Sequence, residues 1–209
     1  MGPAHCNNWD YGDHQDALKL LPPRCLEIMV SARSGRLPLL PALRDTRPTH
    51  KFFFKGLTPS SCTYIAGNYR GSAHQCLFKY SVYVAGDKAV GTVPIAVAGQ
   101  MRFFEKRLNE IALEVAKYIA DPNETPGKKL LFVIAFAAEL HTEFLRIHPY
   151  ANGNGHIGRF IVVCFAGHFK FWPKTWDIHG KPAEPYVALL TQFRNGDREP
   201  LIARILDCF

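Results

Sequence analysis

Residues 147–160 read IHPYANGNGHIGRF, and a chain carrying this stretch has few ways to fold around it. Pro149 has no amide hydrogen, so a helix that reaches it must end at His148, and it biases His148 toward extended geometry. Gly153, Gly155 and Gly158 follow, and an apolar run begins at once. The stretch is therefore a glycine-rich connection between two apolar helices, expected over 128–147 and 153–168. Bare amides around Gly153, Asn154 and Gly155 would sit at a helix N-terminus, where unpaired N–H groups and the helix dipole favour an anion. Arg159, one turn inside the second helix, reaches the same anion with a bidentate fork. His148 on the rim is the natural group for taking a proton from a hydroxyl near neutral pH. The combination suits splitting a diphosphate, with His148 activating the incoming hydroxyl. A structural helix cap is the plainer alternative for His148.

Two other readings of the same residues fail. Gly153 to Gly158 is formally G-x-G-x-x-G, and Asp177 falls near the distance of a ribose-binding acid. That fingerprint needs a preceding β-strand, whereas a long helical pattern precedes it here. A metal site from His141, His148 and His156 lacks an acid at ligand spacing and is interrupted by Pro149. His141 reads as an ordinary helix residue.

The rest of the chain is mainly α in pattern. Short helices are expected at 13–21, stopped by Pro22 and Pro23, and at 24–34. An ordered connector spans 35–48, and a helical turn with Phe52, Phe53 and Phe54 spans 49–57, with one of the three rings partly exposed. Residues 58–72 read as loop. A β-hairpin is expected at 76–97, turning at 85–88 and broken late by Pro94. A long helix follows at 100–120, then the apolar helix 128–147, which reads as the central and most buried element. Two amphipathic helices close the chain at 185–195 and 199–208.

Hydrophobic content of 47% in 209 residues allows a substantial core, and no apolar run is long enough to span a bilayer. The net charge of +7 is dispersed, without a dense basic run or a nucleic-acid motif, so no nucleic-acid partner is expected. The six cysteines (Cys6, Cys25, Cys62, Cys76, Cys164, Cys208) show no C-x-x-C pair. They are expected to be buried free thiols in a reducing compartment, a cytoplasm.

Residues 148–159, HPYANGNGHIGR, resemble the signature of the Fic (Fido) family, H-x-F-x-[D/E]-G-N-G-R-x-x-R. THKFFF at 49–54, AGNYRG at 66–71 and YVALLTQFRNGDREPLIARIL at 186–206 resemble further family segments in the same order. The resemblance implies a Fic-type helical bundle over residues 45–209, with residues 1–44 as a helical extension. It also implies that the hairpin is a flap over the active-site loop, docking a target peptide by strand addition through Tyr80, Val82 and Val84. The implied activity is transfer of AMP from ATP, with Mg²⁺, to a Ser, Thr or Tyr hydroxyl of a target protein. His148 would be the general base. Gly153, Asn154 and Gly155 would form the anion hole, and His156 and Arg159 would take phosphate-binding positions.

Three positions depart from the family pattern. Tyr150 replaces Phe and keeps an aromatic anchor under the loop. Asn152 stands where the family's acid binds Mg²⁺, and offers one neutral oxygen instead of a charge. His156 stands where the family has an arginine, and cannot form the planar fork. Both of the last two weaken recognition of a Mg²⁺–nucleoside triphosphate. Three outcomes follow: AMP transfer, transfer from another diphosphate donor of UMP, phosphocholine, phosphate or a sugar, or a module that binds nucleotide or protein without catalysis. The family's inhibitory string [S/T]-x-x-x-E-[G/N] is not found, so restraint would come from a separate protein or be absent. Action in the protein's own cytoplasm or in a recipient cell, as a delivered effector, fits either way.

Overall fold

The computed structural model describes residues 9–84 and 87–209. Among these the regular elements are helical: α1 (Ala17–Arg33), α2 (Leu39–Arg44), α3 (Arg47–Phe54), α4 (Pro94–Ala120), α5 (Pro126–Ile147), α6 (Asn154–His168), α7 (Tyr186–Arg194) and α8 (Glu199–Leu206). Short 3-10 turns cover Tyr11–Asp13 and Ser60–Ile65. The chain is a mainly α protein, and no described helix is long and apolar enough to cross a membrane.

The core forms around α6, not α5. Every residue of α6 from His156 to Gly167 is buried, while α5 keeps a partly exposed face. α5, α2 and α1 all pack on α6, and α4 and α8 pack on α5. Gly158 permits the close approach of α5, and Gly167 that of the segment following α6. A Cβ on Gly158 would come within 2.9 Å of the His141 ring, and one on Gly167 within 2.5 Å of the Trp172 ring. The apolar pattern of α5 overstated its burial, since residues 126–132 at its start are exposed or only partly buried.

Three expectations about single elements are corrected. Pro22 and Pro23 do not stop α1, which runs through both. The carbonyls they leave without donors belong to Leu18 and Lys19, whose residues face solvent, while Leu21 and Cys25 anchor the opposite face. The connector at 35–48 contains α2, whose Leu43 is fully buried. Pro94 is the first residue of α4, a position where its fixed φ suits the helix and its missing donor is harmless.

The expected hairpin at 76–97 is likewise not formed among the described residues, although its limbs lie close together. Residues 85 and 86 of the expected turn lie outside the described residues. The amides of Gly91 and Thr92 donate to the carbonyls of Arg146 (2.9 Å) and Ile147 (3.2 Å), at the end of α5. Terminal helix carbonyls have no partner inside their own helix, and here they take donors that a strand ladder would have used. Gly91, at φ 100°, still lets the limbs meet, since a Cβ there would lie 3.0 Å from the Val82 carbonyl oxygen.

Cys25, Cys76, Cys164 and Cys208 are free thiols. Cys62 is disulfide-bonded, where a free thiol was expected. Pairing depends on proximity in space, and cysteine spacing along one chain does not reveal it. Cys6 lies outside the described residues.

Candidate active site

His148 caps α5 in a left-handed conformation, φ 53° and ψ 59°, and not in the extended geometry that Pro149 favours. Such a backbone costs about 1–3 kcal/mol for a residue with a side chain, so its surroundings must hold it. Its amide donates to the Phe144 carbonyl at 3.0 Å, which closes the helix end. Its carbonyl accepts from Arg70 Nε at 2.8 Å. The ring Nδ1 lies 3.2 Å from the Leu145 carbonyl. A carbonyl only accepts, so Nδ1 carries the proton and Nε2 of the neutral ring is left as the base. Burial pushes the His148 pKa down to about 4, the Leu145 bond opposes this, and the Arg70 charge adds to the lowering.

Arg70 is the clip of the site. It is 1% exposed and donates to four carbonyls: His148 at 2.8 Å, Tyr80 at 3.0 Å, Thr92 at 2.9 Å and Ile147 at 3.2 Å. The two limbs of the flap are thus joined through a guanidinium and not through a ladder. Carbonyls at the C-terminus of α5 stabilise the buried charge, as the negative end of a helix dipole does. Burial still lowers the Arg70 pKa to about 10, leaving it cationic at neutral pH.

His148 opens into a cavity of about 200 Å³ lined also by Val84, Asp87, Val90 and Leu145, and by Val187, Leu190, Thr191 and Arg194 of α7. The flap is fastened to α7 here, because Asp87 pairs with Arg194 and accepts from the Thr191 hydroxyl at 3.2 Å. Of the three expected docking residues, Val84 lines this cavity, Tyr80 is held through its carbonyl by Arg70, and Val82 packs on Gly91.

The glycine loop is built for close approach. Gly153 has φ 79°, and a Cβ there would meet the Phe54 ring at 2.2 Å. It caps α6, whose first amides, those of Asn154 and Gly155, precede the first intrahelical bonds; the amides of His156 and Ile157 both go to the Gly153 carbonyl. The Gly153 amide itself donates to Asn152 Oδ1 at 2.6 Å. The Asn154 side chain is turned inward, accepting from the Tyr150 amide and donating to the Tyr150 carbonyl, both at 2.9 Å. Its side chain therefore braces the loop, and only its backbone is free to meet an anion. Arg159 Nη1 would lie 3.1 Å from a Cβ on Gly155, while Nε and Nη2 donate to the carbonyls of Ile178 and His179, both at 2.9 Å.

Asn152 and His156 face the N-terminal segment. Asn152 Nδ2 donates to Asp10 Oδ1 at 3.1 Å. With Oδ1 already bound by the Gly153 amide, the Asn152 side chain does not fit a Mg²⁺ site, which wants several free hard oxygens. His156 is 3% exposed and boxed by Tyr11, Phe53, Phe54 and His179 at ring distances of 5.3–6.4 Å.

Sequence reading left several of these residues out of the site. His50 and Arg70 lie inside the segments THKFFF and AGNYRG, but nothing local gave either a partner. His50 stacks on Tyr150 at 3.7 Å, accepts from the Gly67 amide at Nδ1 (3.0 Å), and donates from Nε2 to the Asn152 carbonyl (2.9 Å). The hydroxyl that distinguishes Tyr150 from Phe bonds Thr46 at 2.7 Å, so the anchor gains a tether. His141 is fully buried and bonds the Tyr186 hydroxyl.

Burial lowers the pKa of His50 to about 3 and of His141 to about 4, from an ordinary 6.5. The unfolded chain then binds more protons than the folded one below pH 6.5, so stability is full above that value and falls on acidification toward pH 4. Each group adds a slope of up to about 1.4 kcal/mol per pH unit. Urea midpoints measured from pH 7.5 to 4.5 should drop steadily, and His141→Gln should flatten the slope. A flat profile would contradict neutral burial of these rings.

The fold and the loop together define a helical protein whose reactive loop joins two core helices. It belongs to the Fic/DOC family, whose model matches residues 50–166, more than half of the 209. Members of this family are in general protein-modifying transferases. No curated protein matches the chain.

Proposed function

We propose that the protein transfers AMP from ATP to a Ser, Thr or Tyr hydroxyl of a target protein, with His148 as the general base. The observation that carries this reading is the fixed tautomer of His148: Nδ1 is held by the Leu145 carbonyl, leaving Nε2 as the base of a ring that borders the cavity beneath the flap. The target hydroxyl oxygen attacks the α-phosphorus, its proton passes to His148 Nε2, and the α–β bridging P–O bond breaks to release pyrophosphate. The amides of Asn154 and Gly155, with Gly153 setting the turn, receive the phosphates at the start of α6, and Arg159 Nη1 adds positive charge beside them. Mg²⁺ accompanies the nucleotide in this reading, but no step is routed through a metal at Asn152. The target segment lies along the flap at Tyr80, Val82 and Val84, restraint comes from a separate protein, and the reaction takes place in a cytoplasm, its own or a recipient cell's. Intact-mass spectrometry after incubation with ATP and a candidate target should show the increment of one AMP; its absence with every target tried and on the protein itself would sink the reading.

A second reading has its own observation. Asn152 is engaged by Asp10, and His156 is enclosed by aromatic rings, so two positions that read a triphosphate in the family are occupied with other contacts. A different diphosphate donor then fits, and the same mass measurement with UTP and CDP-choline separates the two by the size of the increment.

The His148 pKa of about 4 predicts the pH dependence. The ring is unprotonated at neutral pH, so kcat/KM should rise through a single ionisation in the acid range and be flat from pH 6 to 8. A limb centred near the ordinary histidine value of 6.5 would show that the base is less buried in solution.

A further inference from the structure

Cys25 on α1, His156 on α6 and His179 on the connection after α6 are far apart in sequence and meet at one point. One ligand atom from each, the Cys25 sulfur and a ring nitrogen of each histidine, lies within 4.8 Å of the others. Two of the ring nitrogens here, His156 Nε2 and His179 Nδ1, are buried without any hydrogen-bond partner. Burying such an atom unpaired costs about 1–3 kcal/mol, and two side by side call for a common partner. His156 and Cys25 are each only 3% exposed. We propose that Cys25, His156 and His179 bind one Zn²⁺ ion.

The donor set selects the metal. One thiolate and two imidazoles suit a borderline-soft ion in a tetrahedral site and not a hard cation such as Mg²⁺. Bond lengths of about 2.0–2.3 Å put tetrahedral ligands roughly 3.5 Å apart, so the three side chains close in by about 1 Å on binding. His179, half-buried on a loop, has the freedom to make that move. Cys25 binds as the thiolate, releasing one proton.

The surroundings support the site. A cavity of about 490 Å³ is lined by Cys25, Asp177 and His179, giving the ion a way in and a water a place at the fourth position. Asp177 accepts from the His179 amide at 2.9 Å and so sets the loop that presents the ring. Arg159 donates to the His179 carbonyl from the other side. Its cationic charge opposes a second cation nearby, and the thiolate offsets it. A metal here would add a joint between α1, α6 and the following loop, which hydrogen bonds from Arg33 and Arg159 already connect. The histidine at position 156 then has a role that an arginine would not fill.

Zinc titration of the full chain against a chromophoric chelator tests the proposal without reference to activity. Expected is one Zn²⁺ per chain, at least 100-fold weaker binding in Cys25→Ser and in His179→Ala, and unchanged binding in the control Cys208→Ser. Co²⁺ should give a tetrahedral visible spectrum with a sulfur charge-transfer band that Cys25→Ser removes. Zinc should raise the melting temperature of the wild type and of neither site variant. His179→Ala alters only a half-buried loop residue, so it reports even if Cys25→Ser fails to fold. Substoichiometric zinc in the wild type, or equal binding in His179→Ala, would overturn the site. Neither result bears on AMP transfer, which the mass measurement tests on its own.

Discussion

Replacing His148 by Asn is expected to lower AMP transfer by about 10²–10⁴-fold, the range ordinarily lost with a general base. Asn is the informative substitution because the position is left-handed, at φ 53°. Asn tolerates that region better than most residues, and Ala does not. The amide side chain has no basic nitrogen, so it keeps the backbone and loses the proton acceptor. A melting temperature close to wild type with transfer abolished would assign the loss to chemistry. Retained transfer in a folded His148→Asn variant would remove the base from the mechanism and leave His148 as a helix cap.

The largest stability effect is expected at Arg70. Arg70→Met keeps much of the buried volume but removes the donors to the carbonyls of His148, Ile147, Tyr80 and Thr92. Those acceptors are left with fewer donors in a buried setting, for a loss of about 4 kcal/mol, at the upper end of single substitutions. Arg70→Lys should recover little, because one ammonium cannot replace the separate nitrogens that reach both flap limbs and the end of α5. Urea denaturation measures the loss. Transfer should fall more than stability alone explains, since the same residue holds the His148 carbonyl and both flap limbs. A loss below about 1 kcal/mol would mean that α5 and the flap hold their places without the clip.

Local chemistry made part of the protein legible before any coordinates. Pro149 ends α5 because it has no amide hydrogen, and Gly153 starts α6 because only glycine fits beside Phe54 at that φ. Helical periodicity found α4, α5 and α6 within a few residues except at the start of α4, where Pro94 read as a strand breaker. The hairpin expectation failed for a related reason. Alternating residues described an extended ribbon correctly, but whether a ribbon becomes a strand depends on which acceptor reaches its amides first, and here the end of α5 does.

The tertiary structure decided the partners. Arg70 donates to groups from three separate parts of the chain, and nothing near position 70 announces that its guanidinium is buried. His156 read as a weakened phosphate ligand because it stands where the family pattern has an arginine. In space it lies beside Cys25 and His179, and it is not among the residues lining the cavity that His148 borders. The amino-acid sequence by itself determined the helices and the loop that joins α5 to α6, since backbone geometry and periodicity are local properties. Burial, hydrogen-bond pairing and convergence of side chains are properties of the packed chain, and they alone decided what each residue of that loop faces.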